Sequence, residues 1–323
     1  MKAPSTTAVC TLFEGHYHYG VAALVNSLYK QGYRGSIYAG YRGSLPKWAD
    51  QAHVLHGEGE MTLAVAGDLC IHFILLDTDY HLTNYKPDFM LRVWDGPARH
   101  ASNIYYFDPD IVVTAPWNFF DHWVEYGVAL CEDVNSPLPR NHPRRAAWRK
   151  YYGEKGIALS FKTTTYANGG YVGLSKRDKS FLVMWRTLQE EMAHAIGGLK
   201  RSALNGKPLL PEMQGPFSPF GKTDQDALNA TIEAWDGDVS FVGQEGMSLK
   251  SGAPLMPHAL GHPKPWMSNP LTEAINGRPP RLVDREYWKN ASGVIVAHKA
   301  AEIQKKLFTI KLAALIGRFY QRG

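Results

Sequence analysis

Apolar positions along the chain alternate between two periods. Thr7-Ala8-Val9-Cys10-Thr11-Leu12-Phe13 reads as a strand, and from Tyr19 to Tyr29 apolar residues recur at helical spacing, with Gly32 as the stop. Ser36 to Gly40 and Ile71 to Leu76 read as further strands, the second nearly all apolar, as in a parallel strand covered on both faces. Pro87 to Val93 reads as a helix, and Asn103-Ile104-Tyr105-Tyr106 leads as a strand into Phe107-Asp108. Tyr166 to Leu174 is strand-like around Gly169-Gly170, Lys179 to Ala195 is an amphipathic helix, and Thr223 is the expected N-cap of a helix over Asp224 to Trp235. This alternation predicts an α/β fold: a single Rossmann-like, mixed, mostly parallel sheet flanked by helices, with ligands at the carboxyl ends of the strands.

Two segments depart from the alternation. Asn135 to Thr165 turns to Pro, Arg and Lys, with Arg140, Arg144, Arg145, Arg149 and Lys150 interleaved with Trp148, Tyr151 and Tyr152. It reads as an inserted basic loop (135–165) with a short helix, a flap beside an anionic ligand or acceptor, rather than a nucleic-acid patch. Ala297 to Tyr320 combines Ile303, Leu307, Phe308, Ile310, Leu312, Leu315, Ile316 and Phe319 with Lys299, Lys305, Lys306, Lys311 and Arg318, and Arg322 follows. Such a basic amphipathic helix (297–323) either packs on the domain formed by 1–296 or makes peripheral contact with an anionic membrane through 297–320.

The 323 residues are 45 % hydrophobic, enough for a sizeable core, and the net charge of +5 is concentrated in that last segment. Three cysteines, Cys10, Cys70 and Cys131, lack metal-site spacing and leave one unpaired in any disulfide scheme, which favours a reducing compartment. With neither a signal-peptide pattern nor a membrane-length apolar run, the expected location is cytoplasmic.

The chemistry concentrates at Asp108-Pro109-Asp110, two carboxylates one residue apart between Phe107 and Ile111-Val112-Val113. At about 4 Å and an effective dielectric near 20, two like charges repel by roughly 4 kcal/mol, so holding both ionised calls for water or a cation. A hard divalent ion shared with substrate phosphates satisfies them best. Asp77-Thr78-Asp79 has the same spacing but runs into a longer polar loop, so the second pair is the better preorganised site. Downstream, His258-Ala259-Leu260-Gly261-His262-Pro263-Lys264-Pro265-Trp266 offers an imidazole for Mn(II), a glycine for close backbone approach to a phosphate, and a lysine as its point charge.

Taken in order, Tyr105 to Val112, Asn168-Gly169-Gly170, Thr223-Asp224-Gln225-Asp226-Ala227-Leu228-Asn229 and His258 to Trp266 resemble the motifs of glycosyltransferase family 8. The resemblance covers most of the chain up to about Trp266. It implies a GT-A fold and a retaining, metal-dependent hexosyltransferase that uses Mn(II), or Mg(II), and a nucleotide sugar donor such as UDP-glucose or UDP-galactose. Carried over by position, Asp108, Asp110 and His258 become metal ligands, and Gly261 and Lys264 diphosphate contacts. Thr11, Phe13, Glu14, Tyr17, Arg92 and Asn168 become donor contacts, with Tyr17 stacking on the base. Asp224 and Gln225 form the catalytic pair beneath the sugar. Where the family often has Asp or Asn before the tyrosine, this chain has His16.

Retention through a covalent intermediate needs a nucleophile, and Gln225 is an amide. The expected route is therefore same-face attack, with Asp226 as the alternative nucleophile. The acceptor is expected to be a carbohydrate, a lipid-linked sugar or a small molecule. A non-catalytic nucleotide-sugar binding protein and a sugar nucleotidyltransferase are the alternatives.

Overall fold

The computed structural model describes residues 7–54, 60–204 and 207–319. Tyr320 and Arg322 of the expected C-terminal helix lie outside the described residues. In chain order the elements are β1 (Thr7–Glu14), α1 (His18–Lys30), β2 (Gly35–Arg42), β3 (His53–Val54), β4 (Glu60–Ala66), β5 (Leu69–Leu75), α2 (Lys86–Asp95), β6 (Asn103–Phe107) and α3 (Trp117–Trp123). There follow β7 (Val128–Glu132), α4 (Pro143–Gly153), β8 (Ala167–Ser175), α5 (Ser180–Ile196), α6 (Thr223–Ala234), β9 (Val239–Val242), α7 (Pro270–Ile275), α8 (Leu282–Lys289) and α9 (Ala300–Ile316). The fold is α/β, a mixed sheet flanked by helices, and the chain forms two compact units.

The first unit comprises Met1–Leu12, Leu76–Phe107 and Phe120–Gln244. Its strands run in the order β1-β6-β8-β7-β9. β1 pairs with β6 in parallel from Thr7↔Asn103 to Cys10↔Tyr106, β8 lies antiparallel to both β6 and β7, and β9 closes the edge parallel to β7. α5 packs against α2 and α6. α6 begins one residue earlier than its sequence suggests. Lys222 is the N-cap, and its N–H is taken by the Asp226 carboxylate at 2.7 Å, leaving Thr223 buried inside the first turn.

The basic insertion is built into this unit's core. α4 buries Arg145, Trp148 and Tyr152. The Arg145 guanidinium donates to Leu138 O at 2.8 Å and to Thr165 O at 3.1 Å, and pairs with Glu233 of α6 at 2.5 Å. One buried side chain thus ties both ends of the insertion to α6, so Arg145 is an internal anchor and not surface charge.

The second unit comprises Phe13–Leu75, Asp108–Phe119 and Glu245–Gly323. Its strands run β3-β4-β5-β2, with β5 parallel to β2 and antiparallel to β4. The apolar run of β5 fits a strand paired on both edges, but its hairpin to β4 makes the sheet mixed at this end. α1 is the central helix, buried from Gly20 to Leu28. Ala23, Val112, Trp266, Tyr287, Trp288, Ala291, Ile303 and Ile310 form one cluster that joins α1, α8 and α9. The C-terminal helix therefore packs on this unit through one side, and no helix among the described residues is long and apolar enough to cross a membrane.

Truncating Arg145 to Ala leaves Glu233 buried without its closest partner. The loss expected is about 3–5 kcal/mol of unfolding free energy, read as a lower urea midpoint. A change below about 1 kcal/mol, the range of a surface pair, would show that the pair does not anchor the insertion.

Candidate functional site

Three separated segments of the second unit meet at the paired aspartates. Beyond the Asp108-Pro109-Asp110 turn the chain runs antiparallel to the segment ahead of His258. Val112 N–H donates to Pro257 O at 3.0 Å, Ala259 N–H to Asp110 O at 3.1 Å, and Ile111 bridges His258. This backbone register delivers an imidazole from a distant part of the chain. His258 Nε2 lies 3.2 Å from Asp110 Oδ1 and 3.7 Å from Asp108 Oδ2. α1 abuts the turn so closely that a Cβ on Gly20 would stand 2.2 Å from Pro109 O, which only glycine permits.

The Lys264 ammonium lies 2.5 Å from Asp110 Oδ2 and 2.7 Å from Ala259 O. Asp110, His258 and Lys264 are all buried, whereas Asp108 keeps some exposure. Burial alone would push the Asp110 carboxyl up, but His258 and Lys264, each as a charge and a hydrogen-bond donor, hold it well below the usual carboxylate range. The anionic form is therefore the stable one.

These residues fit a divalent cation. Asp108, Asp110 and His258 each offer one ligand atom, all within 4.8 Å of one another, and two carboxylates with one imidazole suit Mn(II) or Mg(II). His258 Nδ1 is buried and makes no hydrogen bond, so Nε2 is the nitrogen presented to the carboxylates. The Asp77 and Asp79 side chains, by contrast, are exposed, and the triad is the only such group among the described residues.

Aromatic rings line the same unit. Tyr17 stacks on His16 with centroids 4.9 Å apart, meets Trp266 edge-on at 5.6 Å, and carries Lys264 Nζ 5.8 Å from its centroid. Burial, then Asp110 and Asp108, raise the Tyr17 phenol, so it stays neutral. Burial, then His262 and Lys264, lower the His16 imidazole, whose Nδ1 accepts the Trp266 indole N–H at 2.9 Å. Gly261 is exposed with φ +70°, and nothing stands near the position of its absent side chain. Phe13, expected as a donor contact, is a core ring 6.0 Å from Tyr41. Glu14 is exposed and paired with Arg42 at 2.8 Å.

The first unit carries a second constellation. Asp224 and Lys86 form a buried pair at 3.1 Å, and Lys86 also donates to Gly169 O at 2.7 Å. A Cβ on Gly169 would sit 3.0 Å from Asp224 Oδ2, so the glycine admits this close approach. Gln225 Oε1 accepts the Gly169 N–H at 3.2 Å. Asn168 Nδ2 donates to Asp133 at 2.7 Å while its Oδ1 accepts the Gly170 N–H at 2.8 Å. Thr11 Oγ1 is buried without a hydrogen-bond partner. Asp226 is fully buried, with Tyr166 OH on one oxygen and Lys222 N–H on the other, and burial, opposed by Arg144, pushes its carboxyl up to about 6. A nucleophile must reach a sugar carbon, so Asp226 is corrected to a structural anchor of α6.

Two residues escaped the sequence reading. Arg92, the expected donor contact, is exposed in the last turn of α2, and Lys86 in the first turn is the cation that meets Asp224. Its visible signal was a lysine directly before the Pro87 that opens the helix. Asp133 follows β7 directly, and an acid just past the carboxyl end of a strand was the clue to it.

No family model matches the chain, and neither does any curated protein. Solved structures do. The chain is similar to the apo structure of the WbbM bifunctional glycosyltransferase, with 12 % identity and TM-score 0.50 over 95 % of this chain and 53 % of that one. It is also similar to the galactosyltransferase LgtC in complex with donor and acceptor sugar analogues, with 13 % identity and TM-score 0.50 over 93 % of this chain and 100 % of that one. The chain thus spans about half the length of the WbbM chain. At such identities the likeness is one of fold, and the fold is the GT-A type of glycosyltransferases.

The two aspartates should respond differently to substitution. Asp108→Asn is expected to abolish divalent-metal binding, read by calorimetric titration, with the thermal midpoint little changed. Asp110→Asn is expected to abolish it too, and to cost about 3–5 kcal/mol of stability because Lys264 then lies buried without its counter-charge. Full metal affinity in Asp108→Asn would remove the triad assignment.

Proposed function

We propose that the protein is a retaining hexosyltransferase that uses a nucleotide diphosphate sugar, with UDP-glucose and UDP-galactose as the leading donors. The observation that carries the reading is the meeting of Asp108, Asp110 and His258 with Lys264 beside them. The GT-A fold supports it. A divalent cation held by the triad would supply Lewis-acid stabilisation of the leaving diphosphate.

The chain's own residues have separable roles. Lys264 is the point charge for the diphosphate, and Gly261 leaves its backbone open to a phosphate oxygen. Tyr17, kept neutral and backed by His16 and Trp266, offers a ring face to the base. In the first unit, Lys86 pairs with Asp224 and holds it in place, and the Gly169 N–H orients Gln225, so that the pair can bind the sugar and stabilise positive charge developing on its ring. Gln225 is too weak a nucleophile for a covalent intermediate, and Asp226 has both oxygens engaged. Attack on the same face of the sugar therefore remains, with the departing phosphate oxygen taking the acceptor's proton.

Incubation with a panel of nucleotide sugars is expected to release the nucleoside diphosphate in a divalent-metal-dependent reaction that EDTA stops. The accepted donor should also raise the thermal midpoint. Release of pyrophosphate would point to nucleotidyl transfer, and stabilisation without hydrolysis to a binding protein. Either result would overturn the transferase reading.

A further inference from the structure

The side of α9 turned away from the core has a composition that packing does not explain. Ile303, Ile310 and Ala313 point inward and are buried. On the opposite side Phe308 is 62 %, Leu312 37 % and Leu315 49 % exposed, and Phe319, in the turn that follows, is 89 % exposed. At about 100° per residue the three on the helix, Phe308, Leu312 and Leu315, fall within an arc of about 60°. Single exposed apolar residues are ordinary, but an unbroken stripe of four marks an interaction surface.

Its borders are cationic. Lys305 flanks the stripe on one side, and Lys311 and Arg318 on the other. All three are exposed, and none forms an ion pair with a described residue. Glu302 is the helix's single acid, and it faces His298 at 3.3 Å. An apolar stripe between two rows of cations suits a water–lipid boundary, where the rings and leucines enter the acyl layer while lysine and arginine stems reach headgroup phosphates. A second copy of the chain would also cover the stripe, but a two-fold contact sets each basic border against its own like charge.

We propose that the outer face of α9 docks the protein on an anionic lipid surface, with Phe308, Leu312, Leu315 and Phe319 inserted and Lys305, Lys311 and Arg318 on headgroup phosphates. This does not depend on the transferase reading, because lipid binding is measured without substrate. The full chain should co-sediment with phosphatidylcholine vesicles that contain phosphatidylglycerol and stay in solution with phosphatidylcholine alone. Lys305→Glu with Lys311→Glu should weaken vesicle binding about tenfold or more. Leu312→Gln with Leu315→Gln should weaken it similarly, both pairs keeping the parent's thermal midpoint. Failure of the intact chain to bind anionic vesicles, equal binding to neutral ones, or parental binding by both double variants would overturn the proposal. So would a lipid-free dimer, seen by sedimentation velocity, that Leu312→Gln with Leu315→Gln abolishes.

Discussion

Asp110 is a buried carboxylate whose two oxygens face two different nitrogen donors, and the second unit is organised around meeting that requirement. His258 reaches one oxygen and Lys264 the other. Without them burial would protonate the group; with them it is held anionic. Satisfying one charge fixes three segments at once. The aspartate turn must register against the stretch ahead of His258, the loop beyond must return Lys264 to Ala259 O, and α1 must approach through Gly20. Trp266, two residues past Lys264, then enters the cluster shared with Tyr287 and Trp288, so the polar site and the apolar core constrain the same loop.

The first unit uses the same principle on different residues. Lys86 with Asp224 and Arg145 with Glu233 are buried pairs, each completed by backbone carbonyls that accept from the cation. Such pairs add little net stability over apolar packing, but breaking one strands a charge, and so they fix where each partner sits. For Asp224 that means a carboxylate held in one place next to Gln225. For Arg145 it means an insertion whose two ends cannot drift from α6.

Much of the scaffold was legible because local pattern and tertiary demand agreed. β1, α1, β2, β5, α2, β6, β8, α5 and α6 each follow a recognisable apolar pattern, and the candidate metal site stood out because two acids one residue apart between apolar runs need an explanation. What stayed hidden depended on long-range pairing. β4 alternates too weakly to declare itself, although Gly67-Asp68 between it and β5 is a hairpin signal. The basic insertion looked like surface because Glu233, the partner that lets Arg145 be buried, lies far along the chain. Arg92 and Lys86 share one helix, and only the fold decides which of them meets Asp224.

The proposed function rests on Asp108, Asp110 and His258 holding a divalent cation beside a diphosphate. Crystals grown with Mn(II) and uridine diphosphate test it most directly through anomalous diffraction. The account predicts one strong peak within coordination distance of all three side chains, with Lys264 moved from Asp110 onto a phosphate oxygen. No peak there, or a peak at Asp77 and Asp79 instead, would contradict it.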